Sequence, residues 1–437
     1  MVEKVSVGLL GLGTVGSGVV QIIDHHQDKL MHQVGCQVKI TKILVNDVTK
    51  KRDVYLNGTR LTTDANDVID DPEIDVVIEV MGGIEEARNY ILQALRNKKH
   101  VVTANKDLMA LHGSELLAVA VENGCDLFYE ASVAGGIPIL RSLVEGLSSD
   151  RITKMMGIVN GTTNYILTKM SQDGREYDEV LAEAQALGYA ESDPTSDVEG
   201  LDAARKICIL GTLGFSMKID LEDVSVAGIS GVSKEDLDYG KQLGYEMKLI
   251  GLASRMDDKV EISVQPTFIP LSHPLAAVNN EFNAVYVYGE AVGETMFYGP
   301  GAGKLPTATA VVSDLVEVVK NMRLGVNGNS AILPQFEKKL KSDREILAKY
   351  FLRIHAKDQP GTFAALTSLF SEMNVSLEKI LQLPLKGNDA TNAAAEIIMV
   401  THAASKKDYE MVLMQLNDLD VVDQVKSSYR VEGEEQR

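Results

Sequence analysis

Residues 191–206 read ESDPTSDVEGLDAARK and hold five carboxylates, Glu191, Asp193, Asp197, Glu199 and Asp202, before closing on Lys206. The chain then turns apolar with ICILGTLGF. Carboxylates can bind an ammonium group, and a lysine can give a proton or steady a developing oxyanion. On a helix Asp202 and Lys206, four apart, share one face. At a surface such a pair contributes only about 0.3–0.5 kcal/mol. Here the same stripe runs on through Ile209 and Leu213 without another charge, so the pair sits on a face that continues into a core. Burying charges costs desolvation and seldom stabilises more than apolar packing would. A cost without structural return points to a polar pocket; the plain alternative is a solvated helix start.

Other segments carry chemistry of their own. GLGTVG, with glycines at Gly11, Gly13 and Gly16, lies between a strand-like run and a helix-like run. In that setting the first glycine allows a tight turn, the second lets a pyrophosphate approach the backbone, and the third lets helix and strand pack closely. The next strand ends in VNDVTKKR. Asp47 there suits the ribose hydroxyl of NAD; Lys50, Lys51 and Arg52 suit the extra phosphate of NADP, or form a solvated loop. TANK ends on Lys106 just past another strand, where parallel sheets bind ligands. A lysine there reads as a substrate contact or as a surface residue at a helix start. In FYEASVAGGIPIL the pair Gly135-Gly136 makes an irregular backbone, a domain hinge or a set of carbonyls for a hard cation.

Positioning these residues takes several elements. The chain has 437 residues, enough for two or three domains. Hydrophobic content is 45% and charged content 24%, ordinary for a globular protein. A net charge of −19 argues against a nucleic-acid or anionic-membrane partner, because no basic surplus exists to neutralise phosphates. Three scattered cysteines, Cys36, Cys125 and Cys208, form neither a disulfide framework nor a metal-ligand spacing, and suit a reducing cytoplasm. The uncharged run 5–23 resembles a membrane segment by hydropathy, but its glycine load reads better as strand, turn and helix.

The first third alternates strands (KVSVGLL, VKITKILV, IDVVIEV, HVVTA, CDLFYEA) with helices, which implies a parallel doubly wound α/β sheet. This domain spans about residues 1–133 and is completed by a helix near 303–323. Residues 134–302 read as an α+β domain on an antiparallel sheet, with a hairpin turning at Asp257-Asp258. Residues 324–348 read as a linker. Residues 349–433 follow the order β-α-β-β-α-β of a ferredoxin-like unit, including the strand AAAEIIMVTH, suited to binding or dimerisation.

AQALGYAESDPTSDVEGLDAARK resembles the signature of homoserine dehydrogenases, and GLGTVG, TANK, EASVAGGIPIL, GIVNGTTNYIL and YGPGAG extend the resemblance over about residues 3–322. The tail resembles amino-acid-binding ACT modules. With no aspartate kinase segment before the first strand, the chain resembles the single-function members. The resemblance implies a Rossmann-type domain, a catalytic and dimerisation domain and a C-terminal ACT domain. It also implies interconversion of L-aspartate 4-semialdehyde and L-homoserine with NAD(P), in threonine and methionine biosynthesis. By matched motif, Lys206 becomes the proton donor with Asp202 beside it, and Lys106 lies between substrate and nicotinamide. Glu191 holds the substrate ammonium, with Thr162, Tyr189 and Asp197 also at substrate positions. Gly11, Gly13, Thr14, Val15, Gly16, Lys106 and Gly303 fall at cofactor positions, and Glu130, Val133, Gly135 and Ile137 match a sodium site.

One departure bears on the cofactor: many members have arginine after the second strand, and this chain has Asn46. NADP or NAD is therefore expected to serve, with a modest preference for NADPH carried by the nearby lysines. A homodimer or homotetramer is expected, with L-threonine as effector at the tail through the DQPG turn and Gln382, and a tail removable after about Ala348. An aspartate-semialdehyde dehydrogenase would need a placed nucleophilic cysteine, which none of the three supplies. The remaining alternative is a non-catalytic sensor of NAD and an amino acid.

Overall fold

The computed structural model describes residues 4–329, 332–385 and 394–433. Residues 330 and 331 of the expected linker, and Ala393 of the expected strand AAAEIIMVTH, lie outside them. The chain divides into two compact units: Met1–Val159 with Ala203–Val224 and Phe282–Lys338, and Asn160–Asp202 with Ser225–Glu281 and Lys339–Arg437.

The first unit is built on a parallel sheet. Its strands lie in the order Arg60–Thr62, Gln37–Leu44, Lys4–Leu10, Val76–Glu79, His100–Thr103, Leu127–Phe128. This doubly wound order places ligand crevices at the strands' carboxyl ends. The central strands are apolar runs buried on both faces, as helix-covered parallel strands must be. Helix Thr14–His25 packs on one face, and helix Lys304–Leu324 joins the same apolar core through Ala308, Val311, Leu315 and Val318. The expected strand CDLFYEA differs. Only Leu127–Phe128 pairs, and Glu130–Ser132 turns into a 3-10 helix because the Glu130 backbone N–H goes to Asp314 Oδ2 (2.8 Å) rather than to a strand. This unit also holds an antiparallel ribbon in the order Ile152–Ile158, Phe282–Gly289, Gly293–Pro300.

The second unit contains helices Gly161–Asp173 and Tyr177–Ala186 and the hairpin Tyr245–Met256 with Lys259–Pro270. Asp257 and Asp258 turn that hairpin with φ of +49° and +64°, the left-handed pair that a two-residue turn matched to strand twist requires. The ferredoxin-like block orders its antiparallel strands Val422–Val431, Leu347–Lys357, Ala394–Thr401, Leu377–Pro384. Helices Thr362–Glu372 and Lys406–Leu416 cover one core with Leu366, Phe370, Val412 and Leu416. This block is stitched to the hairpin within the unit: Thr267 and Phe268 pair in parallel with Arg430 and Val431. Phe268 lies 4.6 Å from Phe351 between ring centroids. Buried Asp236 accepts from the hydroxyls of Ser427 (2.5 Å) and Tyr429 (3.0 Å) and pairs with buried Arg353.

Candidate active site

The glycine-rich loop is shaped for a dinucleotide. Gly11 has φ +100°, and a Cβ there would lie 2.9 Å from Met81 Cα and Val80 O. A Cβ at Gly16 would lie 2.3 Å from Gly11 O. At Gly13, by contrast, a Cβ meets nothing within 4 Å. Gly13 is also the N-cap of helix Thr14–His25 with no side-chain cap, so the Thr14 and Val15 end of the helix presents backbone N–H groups to open space. That is the fit a pyrophosphate needs. Gly303 (φ +126°) begins helix Lys304–Leu324. That helix start touches the loop's own helix, since a Cβ at Gly18 would lie 2.5 Å from Lys304 O.

Beyond the second strand the loop is self-bonded. Asp47 Oδ1 accepts from the Thr49 N–H (2.7 Å) and hydroxyl (2.6 Å), which hold its carboxyl below the usual carboxylate range. Arg52 donates to the carbonyls of Asp47 (2.6 Å) and Lys50 (2.8 Å). Asn46, Lys50 and Lys51 are exposed.

TANK is a built corner at the strand's carboxyl end. Asn105 caps helix Lys106–Glu122 by accepting from Leu108 N (3.1 Å), and Lys106 is that helix's first residue. Asp107 pairs with Arg205 at 2.5 Å. In EASVAGGIPIL, Ala134 and Gly135 are both left-handed, with φ of +55° and +48°. The buried Glu130 carboxylate accepts from Leu140 N and Arg141 N, each at 2.8 Å, and burial pushes its pKa up. The side chain thus serves the backbone of helix Ile139–Arg141. A cation in this turn would meet main-chain carbonyls. Among the described residues no group of three or more His, Cys, Asp or Glu could hold a metal ion.

In the second unit, sequence reasoning missed Asn160. It caps helix Gly161–Asp173 through Oδ1, which accepts from Thr163 N (2.9 Å). Its Nδ2 donates to Asp197 Oδ1 (2.7 Å) and Asp202 Oδ2 (2.8 Å), joining two of the predicted acids. The signal was present: an Asn-Gly step after a β-run is a cap or turn, but nothing local says what its other end binds. Thr162 donates to Tyr189 O (2.6 Å), and the Tyr189 ring lies 5.0 Å from that of Tyr165 between centroids, tilted by 46°. Glu191 is exposed, its backbone carbonyl held by Gln185 Nε2 (3.0 Å). Asp193 starts the turn Thr195–Val198 by accepting from Thr195 N (3.1 Å).

Asp202 and Lys206 stand one turn apart on helix Leu201–Phe215, and the division between the units falls within that helix. Asp202 is buried. In the first unit, half-buried Lys206 donates to the backbone carbonyl of Val159 (2.8 Å).

Comparison with known proteins names the chemistry. The family models "Homoserine dehydrogenase, NAD binding domain", "Homoserine dehydrogenase" and "ACT domain" match residues 11–130, 138–316 and 350–421. The homoserine dehydrogenase of Bacillus subtilis is 68% identical over 431 residues, 99% of each chain. The crystal structure of a homoserine dehydrogenase from Thiobacillus denitrificans matches with a TM-score of 0.92 at 39% identity, covering 98% of each chain. A hyperthermophilic archaeal homoserine dehydrogenase in complex with NADPH matches with a TM-score of 0.61 at 26% identity, over 72% of this chain and 97% of that one. The chain belongs to the homoserine dehydrogenase family and is an NAD(P)-dependent oxidoreductase.

Proposed function

We propose that the chain reduces L-aspartate 4-semialdehyde to L-homoserine, in the synthesis of threonine and methionine, with Lys206 as the proton donor. The carrying observation is the Asn160 clamp on Asp197 and Asp202, one helical turn before Lys206. Bound NAD(P)H supplies the hydride to the aldehyde carbon. Negative charge then grows on the aldehyde oxygen, and Lys206 answers it with a proton while Asp202 orients the ammonium. Lys106, at the carboxyl edge of the parallel sheet, orients the oxygen and the nicotinamide. Glu191 takes the substrate ammonium, with Thr162, Tyr189 and Asp197 lining its polar end.

Gly11, Gly13, Thr14, Val15, Gly16 and Gly303 hold the cofactor. Either NADP or NAD serves, with a modest NADPH preference from exposed Lys50 and Lys51; Arg52 is engaged with loop carbonyls, and Asn46 offers no guanidinium fork. The turn of Glu130, Val133, Gly135 and Ile137 takes a sodium ion through its carbonyls. The domain limits that go with this reading are 1–133 with the helix near 303–323, 134–302, the linker 324–348, and the ACT domain 349–433. A homodimer or homotetramer is supported by the antiparallel ribbon, whose last strand Gly293–Pro300 exposes Tyr298. L-threonine is the effector at the ACT domain, where Gln382 Nε2 donates to Asp358 Oδ1 (3.0 Å) of the DQPG turn. A cytoplasmic location fits a chain in which no described helix is long and apolar enough to cross a membrane.

The test is consumption of NADH and of NADPH, followed by absorbance, on adding L-aspartate 4-semialdehyde to the purified protein. Turnover with both, faster with NADPH, is expected. Binding of cofactor without turnover would return the chain to the sensor reading.

A further inference from the structure

Glu79 is a wholly buried carboxylate that none of these roles uses. It ends the strand Val76–Glu79, at the carboxyl edge of the parallel sheet. Oε1 accepts from Met81 N (2.9 Å) and Gly82 N (3.2 Å), and Oε2 accepts from the Thr103 hydroxyl (2.6 Å). Burial pushes its pKa up, and the donors of Thr103, Met81, Gly82 and Asn105 oppose the rise.

The network continues on both sides. Thr103 Oγ1 accepts from Asn105 N (3.0 Å). Asn105 Nδ2 donates to Gly83 O (2.7 Å), while its Oδ1 caps the helix that begins with Lys106. The turn Met81-Gly82-Gly83 is thus held at one end by Glu79 and at the other by Asn105. Gly82 and Gly83 take left-handed φ of +75° and +76°, and a Cβ on either meets nothing within 4 Å. At the near end the turn abuts Gly11, where a Cβ would lie 2.9 Å from Met81 Cα. One carboxylate therefore ties together the first glycine of the cofactor loop, an open glycine turn, and the corner that presents Lys106. An apolar residue at this position would leave the two N–H groups and the hydroxyl without their acceptor.

We propose that Glu79 is a positioning residue for hydride transfer: through Met81 and Gly82 it sets the cofactor loop, and through Thr103 it sets Lys106. This rests on the reading that Gly11–Gly16 hold NAD(P) and that Lys106 acts beside the nicotinamide. The test uses full-length Glu79→Met, Glu79→Gln and Thr103→Val. Thermal melting reports folding, nicotinamide fluorescence without substrate reports the NAD(P)H Kd, and steady-state rates report kcat and both KM values. Glu79→Met, which cuts both branches, is expected to raise the Kd and lower kcat by about tenfold or more each. Glu79→Gln keeps an acceptor for the turn and sets an amide against Thr103, so it should restore most of the binding. Thr103→Val cuts only the Lys106 branch and should lower kcat with the Kd close to wild type. Should Glu79→Met fail to fold, the other two still separate the branches. A merely structural role would lower the melting temperature and leave Kd and kcat unmoved in folded variants, and that overturns the proposal. Wild-type protein that binds no NAD(P)H would overturn the cofactor reading instead, and this inference with it.

Discussion

Lys206 is half-buried, donates to the carbonyl of Val159, and lies one turn from an aspartate held by Asn160. A surface bridge asks for none of this. Replacing the ammonium while keeping the stem separates the two readings. Lys206→Met should leave helix Leu201–Phe215 packed, because its core contacts run through Ile207, Leu210 and Phe215. Its kcat for semialdehyde reduction should fall by about 100- to 10,000-fold, the usual loss with a positioned general acid. Near wild-type turnover of folded Lys206→Met would show that the ammonium is structural. At this scale the acids, the lysines and the glycines were legible because each residue type has few chemical uses at that spacing. Asn160 was not, since an asparagine ahead of a helix is explained by its cap alone, and its second contact, to Asp197 and Asp202, spans about 40 residues of sequence.

Two glycines of one loop separate backbone conformation from ligand access at the level of the element. Gly11→Ala must place a side chain at φ +100° against Met81 and Val80, and should cost about 1–3 kcal/mol of stability. Gly13→Ala sits at φ −83° with open space around it. It should melt within about 0.5 kcal/mol of wild type yet weaken NAD(P)H binding, because the methyl occupies the pyrophosphate's approach. Equal loss of stability in the two variants would contradict this division. Strand Tyr245–Met256 holds a second test in Lys248, fully buried, whose ammonium donates to Val278 O (2.6 Å). Burial pushes its pKa down from 10.5 to about 8, against a smaller opposing pull from Glu246. Between about pH 8 and 10.5 the unfolded chain keeps a proton that the folded chain has released, so this residue makes stability rise with pH there. The buried thiols Cys36, Cys125 and Cys208, raised by burial, act the other way but are common to both proteins compared. Wild type should therefore gain melting temperature relative to Lys248→Met as pH rises from about 8 toward 10. Parallel melting curves would show that Lys248 does not titrate in that window.

For the whole molecule the open matter is how separable the tail is. Sequence suggested a block removable after about Ala348. Within the second unit, however, that block supplies Arg353, Ser427 and Tyr429 to buried Asp236, and Arg430 to buried Glu261. Truncation would strip partners from both carboxylates and uncover Phe268, so an aggregating or strongly destabilised protein is expected. Point changes are the cleaner probe: Asp358→Ala and Gln382→Ala, both exposed, should preserve basal rate and weaken threonine inhibition about tenfold. Unchanged inhibition in both would place the effector elsewhere. The sequence by itself determined the parallel sheet, the ferredoxin-like order and the glycine loop, because periodicity, turn residues and caps act within a few neighbouring residues. It also carried the family, through motifs spread over most of the chain. Only the tertiary structure decided that CDLFYEA breaks after Phe128, that Glu130 spends its carboxylate on backbone, and that Glu79 and Asn160 each bind two segments at once. Those outcomes depend on which distant donors arrive at a buried acceptor, and the need to satisfy every buried polar group is settled in space, not along the chain.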